Sequence, residues 1–366
     1  MKEFGSIEHE GLGMVDMVDA PQVTDNFIAK WFKRTKPSLT FEAKTIRDFD
    51  LWKDALVSKI RSLLGEFPKP APLDPKLLST EEDERFVREK WLIQSEQDCF
   101  VPLYLLTPKH EKGRRPAILC AHGHGPYGKD SVAGVHFGDP NRKANISIHN
   151  YNYAEQMAAA GFVTVAPDWR SFGERIAYSN LYPGRDICDV HFLQHLILGR
   201  TLLGANIFDG MRVVDFLVTR KEVDPNRIGC MGLSFGGTMT TYLALLDDRI
   251  KAADIICYAT MTEHYTISRP NTCGSQLVPY LYRYADVPDV IAAIVPKPLL
   301  IESGASDTCF WIHSAIEAHE TIRKAYEVSG HPENLCIEVF PGEHSFSGRK
   351  AFSFFKKFLE QKIAPV

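Results

Sequence analysis

The sequence predicts an α/β protein: a mostly parallel sheet with helices on both faces, preceded by a helical N-terminal extension. Three observations carry this reading. From Arg85 onward, short apolar runs of strand length alternate with longer runs of helical period, the pattern of parallel strands joined by helical crossovers. Residues 1–84 follow another pattern, with helical spacing and then clustered prolines. A Gly-x-Ser-x-Gly pentapeptide, Gly232-Leu233-Ser234-Phe235-Gly236, lies between a strand pattern and a helix pattern.

Each element has its own justification. Phe49, Trp52, Leu56, Ile60 and Leu63 recur at helical spacing between Ile46 and Leu64, and Gly65 and Pro68 stop that helix. Pro68, Pro70, Pro72 and Pro75 form a connector. This extension is expected to pack on the main domain as a brace. The main domain spans residues 85–366. Phe86–Gln94 and Phe100–Thr107 read as an antiparallel pair. The alternating series follows, with strands at Ala117–Ala121, Val163–Ala166, Ile228–Met231, Ala253–Tyr258, Leu299–Glu302 and Leu335–Phe340. Helices are expected at Tyr151–Ala160, Leu203–Val218, Thr238–Leu245, Ile312–Glu327 and Lys350–Glu360. Two stretches interrupt the alternation, near residues 169–201 and 260–291. Both follow strand ends and carry aromatics and prolines, so they are expected to wall a pocket.

Composition narrows the function classes. The 366 residues are 45% hydrophobic and 24% charged, enough to bury a sizeable core. A net charge of −4 gives no reason to expect nucleic acid or an anionic membrane as partner. No apolar run approaches the roughly 20 residues that span a bilayer. Met1-Lys2-Glu3-Phe4-Gly5-Ser6 lacks the apolar segment of a secretory signal, so a cytoplasmic location is expected. None of the eight cysteines forms a Cys-x-x-Cys pair, and reduced thiols are expected rather than a disulfide framework.

The chemistry starts at Ser234. Gly-x-Ser-x-Gly between a strand and a helix is the sequence of a nucleophile elbow, in which a sharp turn exposes the serine hydroxyl. A serine needs a base to become a nucleophile. His344, in Pro341-Gly342-Glu343-His344-Ser345-Phe346, follows the last strand and precedes the last helix. Of the other downstream histidines, His264 precedes the candidate acid, His313 and His319 fall in a helix pattern, and His331 lies ahead of the last strand. Asp307 lies just past the strand Pro298–Gly304, where an acid can orient the base. Glu302, Asp286 and Asp289 are weaker candidates. His122-Gly123-His124-Gly125 follows the strand Ala117–Ala121 and offers backbone N–H donors to an oxyanion. His124 is the first choice there, Gly125 the second, and Phe235 the partner donor. A metal reading of His122 and His124 is set aside, because no further ligand stands near them in sequence. Asp168-Trp169-Arg170-Ser171-Phe172-Gly173-Glu174-Arg175 reads as a charged brace at another strand end, with direct substrate contact as the lesser reading.

With these motifs the chain resembles the α/β-hydrolase superfamily. More narrowly, it is similar to the bacterial dienelactone-hydrolase-related and acetyl-xylan-esterase-like branch. The resemblance covers roughly residues 85–366. Dienelactone hydrolases carry a cysteine where this chain has Ser234, and that departure turns the expectation toward ordinary carboxylic esters. The resemblance implies a serine esterase with the triad Ser234, Asp307 and His344 and with a small-molecule ester as substrate. Acetyl or other short acyl esters are implied, and no metal or organic cofactor. Two alternatives stay open. One is an amidase or peptidase on the same triad, although 84 residues are too few for a propeller domain of about 160 residues. The other is a non-catalytic binding protein of the same fold.

Overall fold

The computed structural model describes residues 23–109, 113–176 and 182–360. Met1–Ser6, on which the expectation about a signal segment rests, lies outside them, as does 177–181 within the first insertion. The described residues fall into two compact units, divided after Lys36. In the first, helix α1 (Val23–Arg34) ends on Lys33 and Arg34, a favourable charge at a helix C-terminus. Phe27 and Trp31, one turn apart, bring their rings to 6.0 Å.

The second unit is built on a nine-stranded sheet. Its strands are β1 (Lys76–Glu82), β2 (Phe86–Glu96), β3 (Cys99–Pro108), β4 (Arg115–Ala121), β5 (Val163–Pro167), β6 (Val223–Leu233), β7 (Ile250–Ile256), β8 (Leu299–Gly304) and β9 (Leu335–Phe340). The spatial order is β1-β2-β3-β5-β4-β6-β7-β8-β9. The pairs from β1 to β3 and β3 with β5 are antiparallel, and the rest are parallel. Every residue of β4 and β5 is buried, as a strand covered on both faces must be.

The helices of this unit are α2 (Ile46–Leu63), α3 (Lys129–Val132), α4 (Pro140–His149), α5 (Tyr153–Ala159), α6 (Ile187–Ile197), α7 (Leu202–Thr219), α8 (Phe235–Leu246), α9 (Val287–Ala292), α10 (Ile312–Val328) and α11 (Ala351–Phe355). One core cluster joins Leu56 and Ile60 of α2 to Phe216 of α7 and Met239 of α8. A second joins Tyr153 and Met157 of α5 to Phe354 and Phe355 of α11.

Several elements differ from the sequence reading. β1 falls just past the proline connector, in the stretch read as a helical extension. All seven of its residues are exposed, so no apolar alternation marked it. The α5 helix starts at Tyr153 because Asn150, left-handed at φ 47°, first closes α4. Within the insertions lie α6 and a 3₁₀ turn at Gly274–Gln276. α2 begins at the N-cap Thr45, whose hydroxyl accepts from Asp48 N–H, and Arg61 donates to the Leu246 carbonyl at 3.2 Å.

Two charged groups are buried beneath the loop after β5. Asp209 of α7 is fully buried and accepts two bonds from Arg170 and one from Arg175, each 2.8 Å. Glu96 accepts from Arg170 at 2.7 Å and from Arg200 at 2.8 Å. Burial pushes the Asp209 carboxyl up, but Arg175 and Arg170 outweigh it and hold it well below the usual carboxylate range. Nearby, Lys129 Nζ lies 2.9 Å from Asp168 and also pairs with Glu174. The brace expected for Asp168–Arg175 is therefore present. A third group is unlike these: Asp254, Glu302 and Glu338 are buried on β7, β8 and β9. Both oxygens of Asp254 and Oε1 of Glu302 lack a partner. Burial raises the Asp254 carboxyl and pushes Glu302 up to about 8.

The Asp209 cluster yields a stability prediction. Its pKa is depressed in the folded state, so its contribution is present above the unfolded carboxylate pKa and lost as pH falls below that range. Asp209→Asn should cost about 3–5 kcal/mol at pH 7 by removing the buried carboxylate that Arg170 and Arg175 share. The gap in urea midpoint between variant and wild type should shrink as pH falls toward 3. A gap that stays constant would contradict this account.

Candidate active site

The site lies where the parallel strands end. Ser234 follows β6 in a strained turn, φ 64° and ψ −119°. Its N–H donates to the Ile256 carbonyl at 2.9 Å, and its own carbonyl accepts from Thr238 N–H at 3.1 Å. The turn is possible because two glycines admit the end of β4. A Cβ at Gly236 would lie 2.1 Å from the Ala121 carbonyl oxygen, and one at Gly232 2.7 Å from the same atom. Phe235 opens α8, where the first N–H groups have no intrahelical acceptor.

His344 and Asp307 come from adjacent strand ends. His344 Nδ1 lies 2.8 Å from Asp307 Oδ2. The other carboxylate oxygen, Oδ1, accepts from the N–H groups of Cys309 (2.7 Å) and Phe310 (2.9 Å), which fixes the acid's orientation. Burial would raise the Asp307 carboxyl, but the bond from His344 outweighs it and lowers the pKa. Ser306 N–H donates to the Gly342 carbonyl at 2.9 Å, and a Cβ at Gly304 would strike the Glu343 carbonyl oxygen. The two loops are thus locked at close range. From the far side, His149 Nδ1 donates to the His344 carbonyl at 2.7 Å. Phe310 stacks on the His344 ring at 5.6 Å, and Tyr265 of the second insertion stacks on Phe310 at 4.5 Å.

The serine and the histidine belong to one corner. Gly123 packs so closely that a Cβ there would lie 3.2 Å from Ser234 Cβ and 2.6 Å from Tyr151 Oη. The His149 ring lies 6.0 Å from that of Tyr151 and 6.4 Å from that of His344. Among the described residues no hydrogen bond joins the Ser234 hydroxyl to His344; such bonds often tighten only with substrate bound.

The loop after β4 divides its work. His122 is buried; its Nδ1 donates to the Gly123 carbonyl (2.7 Å) and its Nε2 accepts from Trp169 N–H (3.1 Å). Burial pushes its pKa down to about 4, so it stays neutral and structural. The Gly123 N–H is taken by Tyr151 Oη at 2.7 Å, which removes it as an oxyanion donor and leaves His124 next in line.

The rival groups are engaged elsewhere. Glu302 Oε2 accepts from Ser347 N–H at 2.8 Å and so steadies the loop that carries the base. Asp286 and Asp289 form the capping box of α9. His319 is bonded to Ser303 at 3.2 Å, His264 packs on His313 at 4.8 Å, and His331 lies beside Glu333. Sequence reasoning missed Tyr151, His149 and Phe310, none of which sits in a motif. Both insertions reach the site: Cys188 of α6 lies 3.4 Å from His124, and Gln276 Nε2 donates to Thr238 Oγ1 at 3.1 Å.

A parallel sheet with a strained serine elbow at the end of β6 and a histidine–carboxylate pair at the ends of β9 and β8 defines an α/β-hydrolase. The chain belongs to the Abhydrolase family, whose sequence profile matches residues 16–351. It is 27% identical over 250 residues to the candidate hydrolase YtaP of Bacillus subtilis, covering 67% of this chain and 78% of that protein. Among solved structures, a candidate acetyl xylan esterase from Bacteroides fragilis superposes with a TM-score of 0.69 at 23% identity, covering 92% of this chain and 84% of that one. A glucuronoyl esterase from Solibacter usitatus superposes with a TM-score of 0.63 at 14% identity, covering 86% and 97%.

Gly123→Ala tests the packing at this corner. The new methyl meets Tyr151 Oη and the Leu233 carbonyl oxygen at under 3 Å. We expect a loss of about 1–3 kcal/mol, read as a lowered thermal midpoint. An unchanged midpoint would mean that the loop has room the structure does not show.

Proposed function

We propose that this protein is a serine hydrolase of carboxylic esters, with Ser234 as nucleophile, His344 as base and Asp307 as the acid that orients it. The observation that carries this is the 2.8 Å bond between His344 Nδ1 and Asp307, beside a serine held at φ 64°. In this reading Ser234 Oγ attacks the ester carbonyl as His344 takes its proton. The N–H groups of Phe235 and His124 stabilise the oxyanion. His344 then protonates the departing alcohol, and water, activated by the same histidine, releases the acyl group. The protein's own groups supply each step. Residues 169–201 and 260–291 would wall the substrate pocket; the contacts of Cys188, Gln276 and Tyr265 support that role. The esterase names of the structural neighbours favour small-molecule or carbohydrate esters, with acetyl as the first acyl group to test.

Ser234→Ala and His344→Ala should each lower kcat for an aryl acetate by roughly 10⁴–10⁶-fold while the circular dichroism spectrum is retained. Near-native turnover by either variant would remove the triad. Asp307→Asn should lose about 10⁴-fold. Glu302→Gln should keep most activity, because Glu302 touches Ser347 and not the base; the reverse ranking would move the acid to Glu302. Aryl esters of increasing acyl length, acetylated sugars and a matched anilide separate the substrate classes. A faster rate on the anilide would make the enzyme an amidase.

A further inference from the structure

Three side chains with soft or borderline donor atoms converge beside the proposed triad. His124 follows β4, Cys188 lies in the first turn of α6, and Cys273 immediately precedes the 3₁₀ turn Gly274–Gln276. His124 Nε2 is 3.4 Å from Cys188 Sγ, and these atoms and Cys273 Sγ all lie within 4.8 Å of one another. A tetrahedral zinc site, with bonds of about 2.3 Å to sulfur and 2.0–2.1 Å to nitrogen, has S···N edges of about 3.6 Å and S···S edges of about 3.8 Å. The triangle is close to one face of such a tetrahedron.

We propose that His124, Cys188 and Cys273 form a binding site for a thiophilic divalent cation, zinc foremost, with the fourth position open to solvent. The inference rests on this geometry and is independent of ester hydrolysis. Two thiolates and a neutral imidazole around a dication leave no net charge. The absence of oxygen donors from the set disfavours calcium and magnesium. The ligands are already held in place. Gly274 N–H donates to Asp189 at 2.8 Å, and a Cβ at Gly274 would lie 2.4 Å from Phe192 Cβ, so α6 and the turn are in tight contact. The His124 ring packs edge-on against Phe172 at 5.2 Å. Ser275 Oγ lies 2.8 Å from Cys273 Sγ, an outer partner of the kind that steadies a metal ligand.

Metal uptake displaces the ligand protons and therefore strengthens as pH rises. A bound cation would pin the loop after β4 to both insertions at once, so its effect would be on the pocket wall and not on proton transfer.

Cobalt(II) is the spectroscopic probe. The full chain, reduced and kept under argon, should bind one equivalent with a sulfur-to-cobalt charge-transfer band and tetrahedral ligand-field bands, and zinc should displace it. Cys188→Ser and Cys273→Ser should each lose charge-transfer intensity and weaken zinc binding by at least about 100-fold. Cys336→Ser, on β9, should bind as wild type. Circular dichroism separates lost metal from lost fold, and Cys273→Ala replaces a serine variant that does not fold. The proposal fails if the folded wild type gives no charge-transfer band, or if the band survives in both variants. It also fails if peptide mapping finds a Cys188–Cys273 disulfide persisting in the reduced, cobalt-treated protein.

Discussion

The site depends on how closely the end of β4 approaches the turn between β6 and α8. The Ala121 carbonyl sits where side chains at Gly232 and Gly236 would otherwise be. That contact leaves Ser234 one conformation, in a region of backbone space that costs a non-glycine residue about 1–3 kcal/mol. The surroundings hold it there. Its N–H is tied to Ile256, its carbonyl starts α8, and every residue of α8 is buried. Gly123 then fits against Ser234 Cβ because the same strand end has been brought so near.

The loops around this turn are secured by different means. The loop after β5 stands on buried ion pairs, with Asp168 on Lys129 and with Arg170 and Arg175 on Asp209. The loops carrying Asp307 and His344 are held by main-chain bonds to each other and by the stack of Tyr265, Phe310 and His344. The first arrangement is costly to break singly, because each partner left behind is a buried charge. The second is built of main-chain bonds and ring contacts, and it is the one in contact with the proposed base.

Much of this was legible in the sequence, and particular residues show why. β4 to β8 announce themselves as apolar runs, since parallel strands inside the sheet are largely buried on both faces. Ser234, Asp307 and His344 could be selected because each follows a strand, and strand ends can be read locally. The charged motif from Asp168 to Arg175 could be read as a brace, but its partners Lys129 and Asp209 lie on other elements and carry no signal of their own. β1 was illegible because an exposed edge strand lacks alternation. The neighbourhood of His124 was illegible for a stronger reason. Its companions, Cys188 and Cys273, sit in two irregular insertions, and only the folded topology brings three such distant positions together.

The carboxyls of β7, β8 and β9 have a consequence for the whole chain. Glu302 is held neutral up to about pH 8, whereas an unfolded chain would release its proton near 4.5. Between those values unfolding liberates protons, so alkalinity favours the unfolded state. Asp209 pulls the opposite way, because it is the acid side that threatens a carboxylate clamped between two guanidiniums. These two interior acids therefore act in opposite directions, Asp209 making the fold sensitive to acid and Glu302 making it sensitive to alkali.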